Sequence, residues 1–194
     1  MQTKRILLKA LGAGAVLPSL GLMNNAWARQ PPEEEQYFPD VTVETHNGYK
    51  LNFYDDIVAG KVVVFNMMYT ACTNICPPNT ASLLNVQTAL GERVGRDIFM
   101  YSITLQPEID TPQALQEYAK RYGVKPGWTF LRAKRRDMEL IRRKLGFFNT
   151  DPVADADISK HTGMIRVGNE PRDRWFMVPA ISSTRQIVSS ILNV

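Results

Sequence analysis

The chain has 194 residues, 44% of them apolar and 22% charged, with no repeat or low-complexity block. That is enough for one ordinary globular domain plus a short extension, and it excludes both two large domains and a disordered chain. The formal net charge is +4, but Lys4, Arg5 and Lys9 lie in an N-terminal stretch without acids and leave the remainder at +1. No nucleic-acid partner is expected from so small an excess.

Residues 1–28 read as a secretory leader. Lys4 and Arg5 form a charged start, Ala10 to Met23 a mostly apolar centre, and Ala26-Trp27-Ala28 a small-residue cleavage site. Thr3 to Lys9 also resembles a twin-arginine signal with lysine in the first arginine position. An uncleaved leader would tether the chain to a membrane, although its apolar run is shorter than the roughly 20 residues that span a bilayer. Export makes the periplasm the expected location, where two cysteines can pair as a structural disulfide.

Residues 29–37, rich in proline and glutamate, are expected to form a linker, and residues 38–194 the folded body. Val41 to Thr45 and Lys50 to Tyr54 alternate around Asn47-Gly48, which predicts a β-hairpin at the start of the body. His46, beside that turn, is read as an exposed loop residue rather than a ligand. Val62-Val63-Val64-Phe65, leading to Tyr69-Thr70, has the β-branched and aromatic content of a buried strand. Pro77 and Pro78 suit a first helical turn, so a helix is expected through Asn79 to Leu90.

Both cysteines of the chain, Cys72 and Cys76, fall between that strand and that helix. Cys76 is expected just ahead of the helix N-terminus, whose N–H groups and partial positive charge favour thiolate. Met67 and Met68 precede the loop and are read as packing residues, although their thioethers could offer sulfur to a soft metal ion.

Further along, Ile98 to Leu105 reads as a second long strand and Gln113 to Tyr122 as a helix capped by Asp110 or Thr111, with Gly123 after it. Gly127 to Leu131 is a third strand candidate. A basic amphipathic helix from about Arg136 to Leu145 follows. Its cations, Lys134, Arg135, Arg136, Arg142, Arg143 and Lys144, are read as a solvated face balanced by Asp137 and Glu139, with a docking patch for an acidic partner as the alternative. An acidic loop, Asn149 to Ser159, leads to His161. Thr162 to Val167 and Arg174 to Val178 then pair as strands, and Thr184 to Leu192 closes the chain as a helix. Strands and helices alternating in this way predict an α/β fold: a central mixed sheet flanked by helices, with the cysteine loop at the C-terminal end of the first long strand.

Phe65 to Pro77, an aromatic-threonine lead into CxxxCP, resembles the Sco/SenC family of thioredoxin-like proteins. Ser102 to Pro107 through Asp110-Thr111-Pro112 is similar to that family's second signature, Gly123 to Trp128 to its next turn and strand, and His161 to its late histidine. Thr73, Asn74, Gln106 and Thr162 depart from the usual family residues at their positions. The resemblance implies a thioredoxin-like fold and a copper site on Cys72, Cys76 and His161, taking Cu(I) or Cu(II). It also implies a client, an exported or membrane copper-enzyme subunit such as one of cytochrome oxidase, and a copper donor protein upstream. Three readings of the pair stay open. It is the ligand set of a metallochaperone, the redox pair of a thiol–disulfide oxidoreductase in which Cys72 attacks first, or a structural disulfide with His161 an ordinary hydrogen-bonded residue.

Overall fold

The computed structural model describes residues 37–160 and 163–194. The expected leader and most of the linker therefore lie outside the described residues, as does His161. The hairpin forms where the Asn47-Gly48 turn places it, as β1 (Thr42–Thr45) and β2 (Lys50–Asn52). It is followed by a π-helical turn, Phe53–Val58, that the sequence does not announce. Three parallel strands make the centre: β3 (Val62–Met68), β4 (Ile98–Thr104) and β5 (Trp128–Ala133). β6 (Met164–Asn169) runs antiparallel beside β3, and β7 (Arg174–Pro179) antiparallel beside β6. The sheet order is β2-β1-β5-β4-β3-β6-β7, so the hairpin is a continuation of the sheet, with Val43 opposite Ala133 and Thr45 opposite Leu131.

Among the described residues, five α-helices accompany the sheet: α1 (Cys76–Leu90), α2 (Pro112–Tyr122), α3 (Arg135–Lys144), the short α4 (Pro152–Ala156) and α5 (Thr184–Leu192). Helices cover both faces, and this is why β3 is apolar on both faces, with Asn66 its one polar residue, instead of alternating. Val64 and Met68 face a core with Leu83 and Val86 of α1, Leu115 of α2 and Ile187 of α5. Val63, Phe65 and Met67 face the opposite core with Met138 and Ile141 of α3 and Phe53 of the π-helical turn. Met67 and Met68 are thus packing residues, as expected. Each large side chain buried this way contributes roughly 1.5–3 kcal/mol.

Three local expectations change. Thr111, not Asp110, caps α2, its hydroxyl accepting from the Ala114 N–H at 3.2 Å. His46 is half-buried rather than exposed: its Nδ1 accepts from the Phe130 N–H at 3.1 Å, and its ring meets the Phe130 ring edge-on at 5.8 Å. That hydrogen bond needs a neutral nitrogen, and burial lowers the ring's pKa. The third concerns α3, which does not present a uniformly solvated cationic face. Arg142 turns inward, its side chain 9% exposed, and makes a two-pronged pair with Asp155 at 2.6 and 2.7 Å. Glu139 and the Phe147 carbonyl complete its partners, while Arg135 pairs with Glu108. The acidic loop is thereby held to α3.

One glycine decides a close approach. Gly127 has φ +89°, and a Cβ there would sit 2.5 Å from the Gly95 nitrogen, so only glycine lets the turn before β5 cross the turn before β4.

Candidate thiol site

The loop from Tyr69 to Ile75 leaves β3 at its C-terminal end and feeds α1. No side chain caps α1: Ile75 stands at the cap position without a hydrogen bond of that kind, and Pro77 and Pro78 fill the first turn. The acceptor at this end is sulfur. The Cys76 N–H donates to the Cys72 Sγ at 3.3 Å, and the N–H groups of Asn74 and Ile75 also point at that sulfur. Cys72 therefore sits in a nest of backbone donors at a helix N-terminus, the geometry that stabilises an anion.

Both cysteines are thiols in this structure and both are buried, Cys72 at 7% exposure and Cys76 at 2%. Their acidities diverge. Burial raises the Cys72 thiol, but hydrogen bonds from the Cys76 thiol and from the backbone of Cys76, Asn74 and Ile75 outweigh it, and its pKa falls below the ordinary thiol value. Burial, and then the hydrogen bond to Cys72, push Cys76 up to about 12. The expected activation of the cysteine nearest the helix end is thus corrected: the helix-end donors serve Cys72, because Cys76 lies inside the first turn with its sulfur turned to the core. Tyr69 adds to the arrangement, its hydroxyl pushed up to about 12 by burial and by a hydrogen bond to Cys72.

Behind the loop lies Asp110, which the sequence offered as a helix cap within the second signature. Asp110 accepts the Thr70 N–H at 3.1 Å and hydrogen bonds from the hydroxyls of Thr70 and Thr104. The first and second sequence signatures thus meet through one carboxylate. The hints in the sequence were its place in the second signature and an acid directly before a threonine that could cap the helix by itself.

Among the described residues, no three His, Cys, Asp or Glu side chains converge as a metal-ligand set. Gly163, however, packs against the start of α1: a Cβ there would lie 3.5 Å from Asn79 Nδ2 and 3.6 Å from Ile75 Cγ2. A cavity of about 330 Å³ lies between α3 and the 147–158 loop, and it touches neither cysteine. Cys72 is buried in a loop whose Ala71, Thr73 and Asn74 are exposed, and Cys76 is buried in the first turn of α1. None of the described helices is long and apolar enough to cross a membrane.

The chain and its fold are similar to those of known proteins. The chain is 27% identical over 126 residues to the SCO1 protein homolog of Bacillus subtilis, a match spanning 64% of this chain and 62% of that protein. Its fold superposes on yeast Sco1 with copper bound with a TM-score of 0.63 at 17% identity, covering 79% of this chain and 84% of that one. It superposes with a TM-score of 0.62 at 21% identity on BsSco, described as a member of the Sco family of cytochrome c oxidase assembly proteins with a disulfide switch, covering 78% and 89%. These likenesses make the α/β fold a thioredoxin-like one of the Sco kind. The SCO1/SenC family model matches residues 30–191, nearly the whole folded body, and the chain belongs to the SCO1/SenC family.

Proposed function

We propose that this protein is an exported copper-binding assembly factor that delivers copper to a copper enzyme such as cytochrome oxidase, holding it on Cys72, Cys76 and His161. The observation that carries the reading is the thiol pair at the head of α1, with Cys72 already favoured as thiolate. Two soft sulfurs one helical turn apart suit Cu(I), and an added imidazole extends the site to Cu(II). Copper bound in yeast Sco1 supports the same assignment. So does the position of Gly163, two residues after His161 in the sequence, which packs on Ile75 and Asn79 at the start of α1. Binding displaces a proton from Cys76, and His161 must be neutral to ligate, so affinity falls as pH drops through the histidine range. Residues 1–28 would direct export and residues 29–37 link the leader to the body. The client is then an exported or membrane copper-enzyme subunit, loaded after a donor protein supplies the metal.

A second reading is favoured by the split acidities. In a thiol–disulfide oxidoreductase the Cys72 thiolate attacks a disulfide of the client copper site, and one client sulfur leaves as thiolate. Cys76 then loses its proton and closes the Cys72–Cys76 disulfide, which frees the second client sulfur. The client gains two electrons and the pair loses two.

Anaerobic copper titration of the reduced full chain separates the readings. One tightly bound equivalent with a thiolate-to-copper absorption band is expected, lost in Cys72→Ala and in Cys76→Ala and weakened in His161→Ala. A folded, fully reduced protein that retains no copper would sink the chaperone reading and leave disulfide exchange with a client peptide as the activity to measure.

A further inference from the structure

Asp110 belongs to neither cysteine motif and caps no helix, yet its side chain is fully buried at 0% exposure. A carboxylate in such a place persists only where donors satisfy it. Its donors come from two separate elements. The Thr70 N–H and hydroxyl belong to the loop that carries Cys72, and the Thr104 hydroxyl belongs to the end of β4. The carboxylate is itself held in place, since the Asp110 N–H donates to the Gln106 carbonyl at 2.8 Å and the Gln106 N–H donates to the Thr104 hydroxyl at 2.9 Å.

Thr70 matters because of what hangs from it and its neighbour. The Tyr69 carbonyl accepts the Cys72 N–H at 3.2 Å, and a backbone hydrogen bond joins Tyr69 to the Cys76 sulfur. Both thiols are thus referred to the Tyr69–Thr70 backbone, and Asp110 ties that backbone to β4. We propose that Asp110 is the positioning residue of the thiol site: by clamping Thr70 to the end of β4 it fixes the relative placement of the Cys72 and Cys76 sulfurs in the reduced protein. The proposal rests on the reading of Cys72 and Cys76 as the functional pair. It assigns Asp110 no contact with metal or client.

The consequence is a reduced pair held in one arrangement, with the Cys76 N–H on the Cys72 sulfur. Releasing Thr70 loosens that arrangement, so the reduced pair loses the hydrogen bond from the Cys76 N–H to the Cys72 sulfur that holds its two sulfurs in place, and the disulfide is favoured. Asparagine in place of Asp110 keeps the clamp, because its carbonyl accepts the Thr70 N–H while its amide donates to a threonine hydroxyl that rotates to accept.

The test is the dithiol–disulfide equilibrium of the metal-free full chain against glutathione, with the rate of Cys72 alkylation at pH 7 beside it. In Asp110→Ala the equilibrium is expected to move toward the disulfide about tenfold, equivalent to about 30 mV, and alkylation to slow about fivefold. Asp110→Asn is expected to stay within about threefold of the parent protein on both readings. Thr70→Val, which keeps the shape and the N–H and loses one donor, covers the case in which Asp110→Ala does not fold and should shift the equilibrium about threefold the same way. An unshifted Asp110→Ala, an unshifted Thr70→Val, or an Asp110→Asn as altered as the alanine variant would overturn the clamp. A shifted equilibrium in a protein whose parent binds no copper would sink the copper reading and leave the clamp standing.

Discussion

At the scale of single residues, the chemistry lies in the contrast between two thiols four positions apart. Cys72 lies outside α1, where three backbone N–H groups converge on its sulfur, whereas Cys76 lies inside the first turn and faces the core. Alkylation followed by mass spectrometry should therefore show Cys72 modified with a midpoint below the ordinary thiol value near 8.5, and Cys76 protected until far higher pH. Removing the Cys76 thiol as Cys76→Ser exchanges a sulfur donor for a hydroxyl and keeps the backbone nest, so the Cys72 midpoint should stay below that value. The two thiols carry opposite signs in the stability of the reduced protein. Cys72, lowered in the folded state, contributes stability above its unfolded value that is lost as pH falls through its folded one. Cys76, raised to about 12, contributes stability that is fully present below its unfolded value and is lost as pH rises toward 12.

At the scale of elements, the join between α3 and the 147–158 loop decides how firmly the chain approaching His161 is held. Arg142 and Asp155 are both nearly inaccessible and doubly bonded, and Asp155 also accepts the Asn149 N–H at 2.8 Å. The Arg142 guanidinium holds the Asp155 carboxyl well below the usual carboxylate range. Its contribution is therefore present above the ordinary value near 3.9 and is lost as pH falls through the lower folded one. Breaking a buried pair leaves an uncompensated charge, and Asp155→Asn should cost about 3 kcal/mol in denaturant unfolding. Hydrogen exchange should quicken in α4 while β3 and β4 stay protected. Equal exchange in α4 of the two proteins would show that the loop is held by something else.

At the scale of the whole molecule, the described residues form one sheet of seven strands that carries two cores, and the hairpin is part of that sheet. β1 pairs with β5 across Val43, Glu44 and Thr45, and Glu44 meets Arg132 at 3.4 Å. A chain started at Phe53 would leave the edge of β5 open, with Phe130 and Leu131 beside it, and exposed apolar edges recruit other chains. Such a truncation should self-associate in sizing experiments, and a monodisperse monomer would show that the hairpin is dispensable.

The amino-acid sequence alone determined the family and most of the elements, the π-helical turn and α4 excepted. β-branched runs, prolines in first turns, Thr111 and Gly123 are local signals, and each reports the backbone within a few residues of itself; the CxxxCP motif and the two following signatures lie equally open to reading. The tertiary structure decided what depends on meetings between distant residues. Nothing local to His46 says that its ring accepts from Phe130, or that β1 lies beside β5. Nor does the composition of α3 tell Arg142, turned inward to Asp155, from Arg143 on its exposed side. The same holds at the site, where donors from the β3 end and the β4 end converge on Asp110, and where Cys72, rather than Cys76, receives the helix-end N–H groups. Burial and hydrogen-bond direction are properties of the packed chain, set by which surfaces cover which, and they decide which of two cysteines is the more acidic.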